Sequence, residues 1–283
     1  MIVFFNGEYL QKDQVAISPD DRGFLFADGV YEVIRIYAGC LFETEAHMDR
    51  LKSSLAAISI HYPQSDELPA IGEKLIQLNE MADGEALLYI QITRGAAPRF
   101  HGFPPVGTEP TTYAVVSPRV PTGGKLPDGI SAITVSDSRW GRCDIKSVSL
   151  LPNVLAFQHA RENGSEEVLF LRDGVVTEGS HNSLFAVFGG VVTTAPLSNA
   201  ILPGITRGVV LELCKDLKLE VIESAIPDGR IFEADEWFIT GTSSEITPVI
   251  RIDQRSVGDG MPGPITRKLH EAFQAYVKST ATA

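Results

Sequence analysis

The sequence predicts a two-domain chain of mixed α+β and α/β architecture. Three observations carry that reading. The chain has 283 residues, and at ~150 residues per domain that suggests two. Apolar residues recur with period two in some stretches and at spacings of three and four in others, so strands and helices are interleaved along the chain. Residues 120–129, VPTGGKLPDG, carry two prolines and three glycines a little before the middle. They divide a smaller N-terminal domain, 1–119, from a larger C-terminal domain, 130–283.

The N-terminal elements follow from local pattern. Ile2 to Phe5 and Glu8 to Leu10 flank Asn6-Gly7, a strong hairpin signal. Tyr31 to Tyr37, YEVIRIY, is β-branched and aromatic and reads as a strand. Its alternation puts Tyr31, Val33 and Arg35 on one face and Glu32, Ile34 and Ile36 on the other. Thr44 opens a helix through Ile58, with Met48, Leu51, Leu55 and Ile58 spaced by three and four. A second helix is expected over Ser65 to Met81, and strands over Ala86 to Thr93 and Thr112 to Ser117.

Beyond the linker, Ile130 to Val135 is a strand and Leu151 to Glu162 a helix ended by Asn163-Gly164. Short strands are expected at Glu167 to Leu171, Val175 to Thr177, Leu184 to Phe188 and Val191 to Thr194, with Asp173-Gly174 and Gly189-Gly190 as turns. Thr206 to Leu217 is an amphipathic helix. Glu220 to Glu223 and Trp237 to Thr240 read as strands and Ile265 to Lys278 as the last helix. No strand–GxGxxG–helix unit is present, which argues against a dinucleotide fold.

Composition narrows the function. Lysine plus arginine is 24 and aspartate plus glutamate 36, a net charge of −12. An acidic chain without a basic stripe is not expected to bind nucleic acid or a membrane surface. A local arginine cluster can still hold a small anion. Three cysteines without a ligand-spacing motif suggest neither a disulfide framework nor a metal site, and no metal is expected. The first residues lack a basic segment and no apolar run nears 18 residues, so a cytoplasmic setting is expected.

Lys146 stands apart among nine lysines. It lies in SRWGRCDIKSVSLLPN between a strand and a helix, and neighbouring cations favour a neutral, nucleophilic amine. An ordinary loop lysine is the competing reading. Glu178, in VVTEGSHNSLF, is either a turn former or the carboxylate partner of a protonated ring nitrogen. Pro203 to Arg207 leads into a helix whose first amides favour an anion, and Gly241 to Glu245 adds hydroxyls; each alone is as readily a helix cap or turn. Arg99 and His101, two apart in a proline-flanked loop, point the same way and offer a fork plus one further donor to a carboxylate. His47, His61, His159 and His270 read as structural.

In order along the chain, DRGFLFADGVYEV (21–33), TRGAAPRFHGFP (93–104), RCDIKS (142–147), VTEGS (176–180), LPGITR (202–207) and TSSEITPV (242–249) resemble the class IV, fold-type IV pyridoxal-phosphate aminotransferases. The Arg99/His101 pair places the resemblance nearest the D-amino-acid branch, with branched-chain L-aminotransferases, or a broad enzyme also taking (R)-amines, as the alternative. The resemblance implies a two-domain fold with the cofactor between the domains. It implies that Lys146 bonds C4′ of pyridoxal phosphate and that Glu178 holds the ring nitrogen. Arg50, Ile205, Thr206 and Thr242 would bind the phosphate, and Leu202 would pack near the ring. Tyr31, Val33, Arg35, Arg99 and His101 would bind substrate, the last two reaching from the partner in a homodimer with sites at the interface. D-alanine, D-glutamate or D-aspartate would donate to pyruvate or 2-oxoglutarate. Two departures stand out. The family's asparagine five residues after the glutamate is Ser183 here, with Asn182 one place earlier. Arg35 stands where lysine is common.

Overall fold

The computed structural model describes residues 1–119, 124 and 126–280. Residues 120–123 and Lys125 of the expected linker lie outside the described residues. Within these, one unit takes 1–119, Ile145–Ser149 and Thr280, and the other takes 124, 126–144 and Leu150–Ser279. The sequence divides the chain once. The structure differs at 145–149, because Ile145 enters the first unit's core.

The first unit contains β1 (Ile2–Phe5), β2 (Glu8–Gln11), α1 (Arg22–Phe26), β3 (Gly29–Tyr37), β4 (Cys40–Leu41), α2 (Thr44–Ala57), α3 (Leu68–Leu78), β5 (Glu85–Thr93) and β6 (Thr111–Arg119). Its strands form one antiparallel sheet in the order β2-β1-β6-β5-β3-β4. Asn6 and Gly7 take φ of 46° and 93°, the left-handed pair that a tight hairpin turn requires. Val30, Ile34 and Ile36 of β3 and Leu88, Ile90 and Ile92 of β5 pack with Leu51 and Leu55 of α2, Leu68 and Leu75 of α3, and Ile145. Period two therefore puts Glu32 on the same face as that core, where its charge needs an internal partner.

The helix expected over 65–81 is shorter. Pro63–Glu67 is a 3-10 turn and the α-helix begins at Leu68. Pro69, which lacks an N–H, is accepted in the first turn, where that donor has no partner in the helix.

The second unit contains β7 (Ile130–Ser136), α4 (Leu151–Glu162), β8 (Glu167–Arg172), β9 (Val175–Val176), β10 (Ser183–Phe188), β11 (Val191–Thr194), α5 (Ile205–Asp216), β12 (Val221–Glu223), β13 (Ile226–Pro227), β14 (Glu236–Gly241), β15 (Glu245–Ile252), β16 (Arg255–Ser256) and α6 (Pro264–Thr280). The sheet runs β12-β11-β10-β14-β15-β7-β8-β9-β13, with β16 on β15. β7 pairs parallel with both β8 and β15. Leu169, Leu184, Ile239, Val249 and Trp237 centre one core. Ala156 and Ala160 bring α4 down on Val168 and Phe170 of β8. No described helix is long and apolar enough to cross a membrane.

Candidate active site

In the first unit, residues 145–149 run beside the start of β3. The Tyr31 amide donates to the Lys146 carbonyl at 3.0 Å, and the Val148 amide donates to the Gly29 carbonyl at 3.1 Å. Lys146 N–H donates to Ser54 Oγ at 3.2 Å. With Ile145 buried in the core, these bonds fix the backbone on both sides of the lysine. The Lys146 ammonium lies 4.3 Å from the Tyr31 ring centroid. Tyr31 stacks on Tyr89, 5.8 Å between centroids. The Tyr89 hydroxyl donates to Gln91 Oε1 at 2.6 Å, and burial pushes its phenol up to about 12.

Glu32, Arg50 and His47 form a buried network beside this segment. Arg50 donates through Nε and Nη2 to the two Glu32 oxygens at 2.7 and 2.8 Å, and His47 Nδ1 lies 2.8 Å from Oε2. Burial works to raise the Glu32 carboxyl, yet Arg50 and His47 hold it down at about 2. Burial holds His47 below its usual range despite Glu32, and the charges of Arg50 and Lys146 depress it further. His47, read as structural from the sequence, thus sits within the field of Lys146, and neither it nor Glu32 was a candidate site residue from the sequence.

Arg99 and His101 meet at one side chain. The Arg99 guanidinium lies 5.2 Å from the Phe26 ring centroid and the His101 ring 5.3 Å from it. Both residues are exposed. Their loop is anchored: Arg22 Nη1 donates to the Phe100 carbonyl at 2.7 Å, and Phe103 lies 3.8 Å beneath Arg94. Val33 is half-buried on the Tyr31 face. Arg35 is buried, ion-paired with Glu85 and 5.2 Å from the Tyr37 ring centroid.

In the second unit, Glu178 is buried at the end of a short hairpin. One oxygen accepts from Arg139 Nη1 and the other from the Leu202 amide at 3.0 Å. Burial pushes its carboxyl up to about 7 against the pull of Arg139. Arg139 is in turn gripped by Asp137, donating through Nε and Nη2 at 3.0 and 2.9 Å, and lies 4.4 Å from the Phe170 ring centroid. Burial works against the Asp137 charge, but Arg139 and Arg172 keep it below the usual carboxylate range. Arg142 pairs bidentately with Asp144, so these two cations, which both precede Lys146 in sequence, are committed to carboxylates. The sequence set Arg139 beside Lys146; its link to Glu178, 39 residues away, needed the fold.

Ile205 and Thr206 are the first two residues of α5, whose N-cap Gly204 is extended at φ −65° and ψ 130°. The amides of a first turn have no acceptor within the helix and carry its positive end. Thr242 lies half-buried in the turn between β14 and β15. Within the second unit, a buried carboxylate at Glu178 and a helix start with first-turn amides fit a cationic ring carrying an anion.

Comparison with known proteins shows the family. Residues 29–252 match the family model for amino-transferase class IV. The chain is 42% identical over 280 residues to a D-alanine aminotransferase of Bacillus licheniformis, covering 99% of this chain and 98% of that one. It is 40% identical to a D-alanine aminotransferase of Staphylococcus aureus, covering 98% of each. Among solved structures, a branched-chain amino acid aminotransferase of Escherichia coli superposes with a TM-score of 0.88 at 28% identity, covering 97% of this chain and 93% of that one.

Proposed function

Because the chain belongs to the class IV aminotransferase family, we propose that it moves an amino group between a D-amino acid, of the D-alanine, D-glutamate or D-aspartate type, and a 2-oxo acid such as pyruvate or 2-oxoglutarate, with pyridoxal phosphate as cofactor. The cofactor, when bound, supplies an electron sink for the charge left when the substrate Cα proton departs. Lys146 would hold the cofactor through its side-chain amine and, once that amine is free, would carry the proton from the substrate Cα to C4′. Glu178 keeps the ring nitrogen protonated, with Arg139 and the Leu202 amide orienting its carboxylate. Ile205, Thr206, Thr242 and Arg50 hold the phosphate, and Glu32 aims Arg50. Leu202 would pack near the ring, and Tyr31, Val33 and Arg35 would serve the substrate, Arg35 from a buried ion pair with Glu85.

The choice of D substrates rests on one observation. Arg99 and His101 lie against the same ring, Phe26, on a loop pinned by Arg22 and Arg94. A fork and a second donor held together suit an α-carboxylate. With the lysine acting from one face, the side on which the carboxylate is held decides the hand accepted. Both residues are exposed in the single chain, and Leu151, Val154 and Leu155 make an exposed apolar stripe along α4. Both features support a homodimer in which Arg99 and His101 serve the neighbouring site. The likeness to a branched-chain aminotransferase structure favours a second reading, an L-specific or broad enzyme also accepting (R)-amines.

The test is spectral. Protein loaded with pyridoxal phosphate is mixed with D-alanine and with L-alanine separately, and the cofactor absorbance is followed. Bleaching of the loaded form by D-alanine alone is expected. Bleaching by L-alanine alone would establish the second reading.

A further inference from the structure

We propose that Asn182 is a positioning residue that locks the turn bearing Thr242 to the loop bearing Glu178, an inference that rests on the pyridoxal-phosphate reading.

Glu167, the first residue of β8, is wholly buried. Its carboxylate accepts from the Val168 amide at 2.8 Å, the Ser180 amide at 2.9 Å, Ser180 Oγ at 2.5 Å and the Asn182 side-chain amide. A buried anion thus organises the segment that follows Glu178, and the Gly179 amide closes that segment by donating to the Asn182 carbonyl at 2.8 Å. Asn182 uses both ends of its side chain. Nδ2 donates to Glu167, and Oδ1 accepts from the Ser244 hydroxyl.

Ser244 sits in the turn from β14 to β15, two residues after Thr242. A Cβ on Gly241 would collide with Asn182 Oδ1, so the turn rests directly on the amide. The asparagine side chain offers a donor to the carboxylate on one side and an acceptor to the hydroxyl on the other. Serine cannot span both, and aspartate would set a second carboxylate against Glu167. Ser183, the next residue, lies against Gly204, the N-cap of α5. The segment 178–183 therefore carries Glu178 and touches both the Thr242 turn and the start of α5.

The experiment measures the pyridoxal-phosphate dissociation constant of cofactor-stripped protein by absorbance titration, with the thermal midpoint of the stripped protein recorded in parallel. The variants are Asn182→Ala, Ser244→Ala and the double substitution. Each single change should raise the dissociation constant about 2- to 10-fold, the worth of the Ser244–Asn182 hydrogen bond that both remove. The double variant should lose little more than the worse single one, because both remove the same bridge. A purely structural asparagine would lower the midpoint and leave the dissociation constant unchanged, which overturns the proposal. Multiplying effects in the double variant also overturn it. Should Asn182→Ala fail to fold, Ser244→Ala carries the test alone, and an unchanged dissociation constant refutes the bridge. Parent protein that binds no pyridoxal phosphate overturns the functional reading and this inference with it. Tight binding by the parent and by both variants overturns only the inference.

Discussion

Glu32→Gln removes a charge from the centre of the first unit while keeping the side chain's size. The Glu32 carboxyl is wholly buried and held at about 2 against an ordinary 4.5. A carboxyl held that far down contributes on the order of 3 kcal/mol of stability at pH 7. An independent argument gives the same size: breaking a buried ion pair by removing one partner costs about 3–5 kcal/mol, because the remaining guanidinium is left uncompensated. The pH dependence has a definite sign. A depressed carboxyl contributes its full stability above its unfolded value, near 4.5, and loses it as pH falls through about 2. Urea unfolding of cofactor-stripped parent and variant, at several pH values between 3 and 7, measures the gap. Far-UV circular dichroism is the appropriate signal, because both tryptophans, Trp140 and Trp237, lie in the second unit. The gap should be ~3 kcal/mol at pH 7 and narrow steadily below pH 4.5. A gap under ~0.5 kcal/mol at pH 7, or one that stays constant to pH 3, would refute the reasoning.

Further outcomes are expected. Arg99→Ala should raise KM for D-amino acids roughly ten- to a hundredfold, His101→Ala less, and amines without a carboxylate should be indifferent to both in steady-state assays. Glu178→Gln should cut kcat far more than it weakens cofactor binding, since an amide cannot stabilise a positive ring nitrogen; equal losses in the two measurements would contradict this. Glu178 is raised, so in stripped protein its contribution is full below about 4.5 and is lost as pH rises through about 7. Stability should fall over that window, and Glu178→Gln should remove the fall in a thermal-melt series against pH.

Local pattern made much of the fold legible. The Asn6-Gly7 hairpin, the Tyr31 strand and the α2 and α5 helices follow from spacing and turn chemistry. Pro248 hid β15, because a proline argues against an inner strand. The structure accommodates it: β15 is paired with β14 at Phe238–Pro248, and β7 joins only from Val249 onward. The candidate site was legible in its motifs, Lys146, Glu178 and the Arg99/His101 pair. Its supporting charges were not. Glu32 reaches Arg50 across 18 residues and Arg139 reaches Glu178 across 39. Nor does local pattern show that Ile145 enters the first unit's core, which is what anchors Lys146 there. Such pairings are decided by which faces the strands bury, and no window of sequence contains both partners.

Whether Lys146 carries the chemistry is decided by covalent trapping. Protein incubated with pyridoxal phosphate is reduced with borohydride, digested, and mapped by mass spectrometry, with Lys146→Ala treated in parallel. One phosphopyridoxyl label is expected, on Lys146, and none on the folded Lys146→Ala variant. A label on another lysine, or equal labelling of the variant, would contradict it.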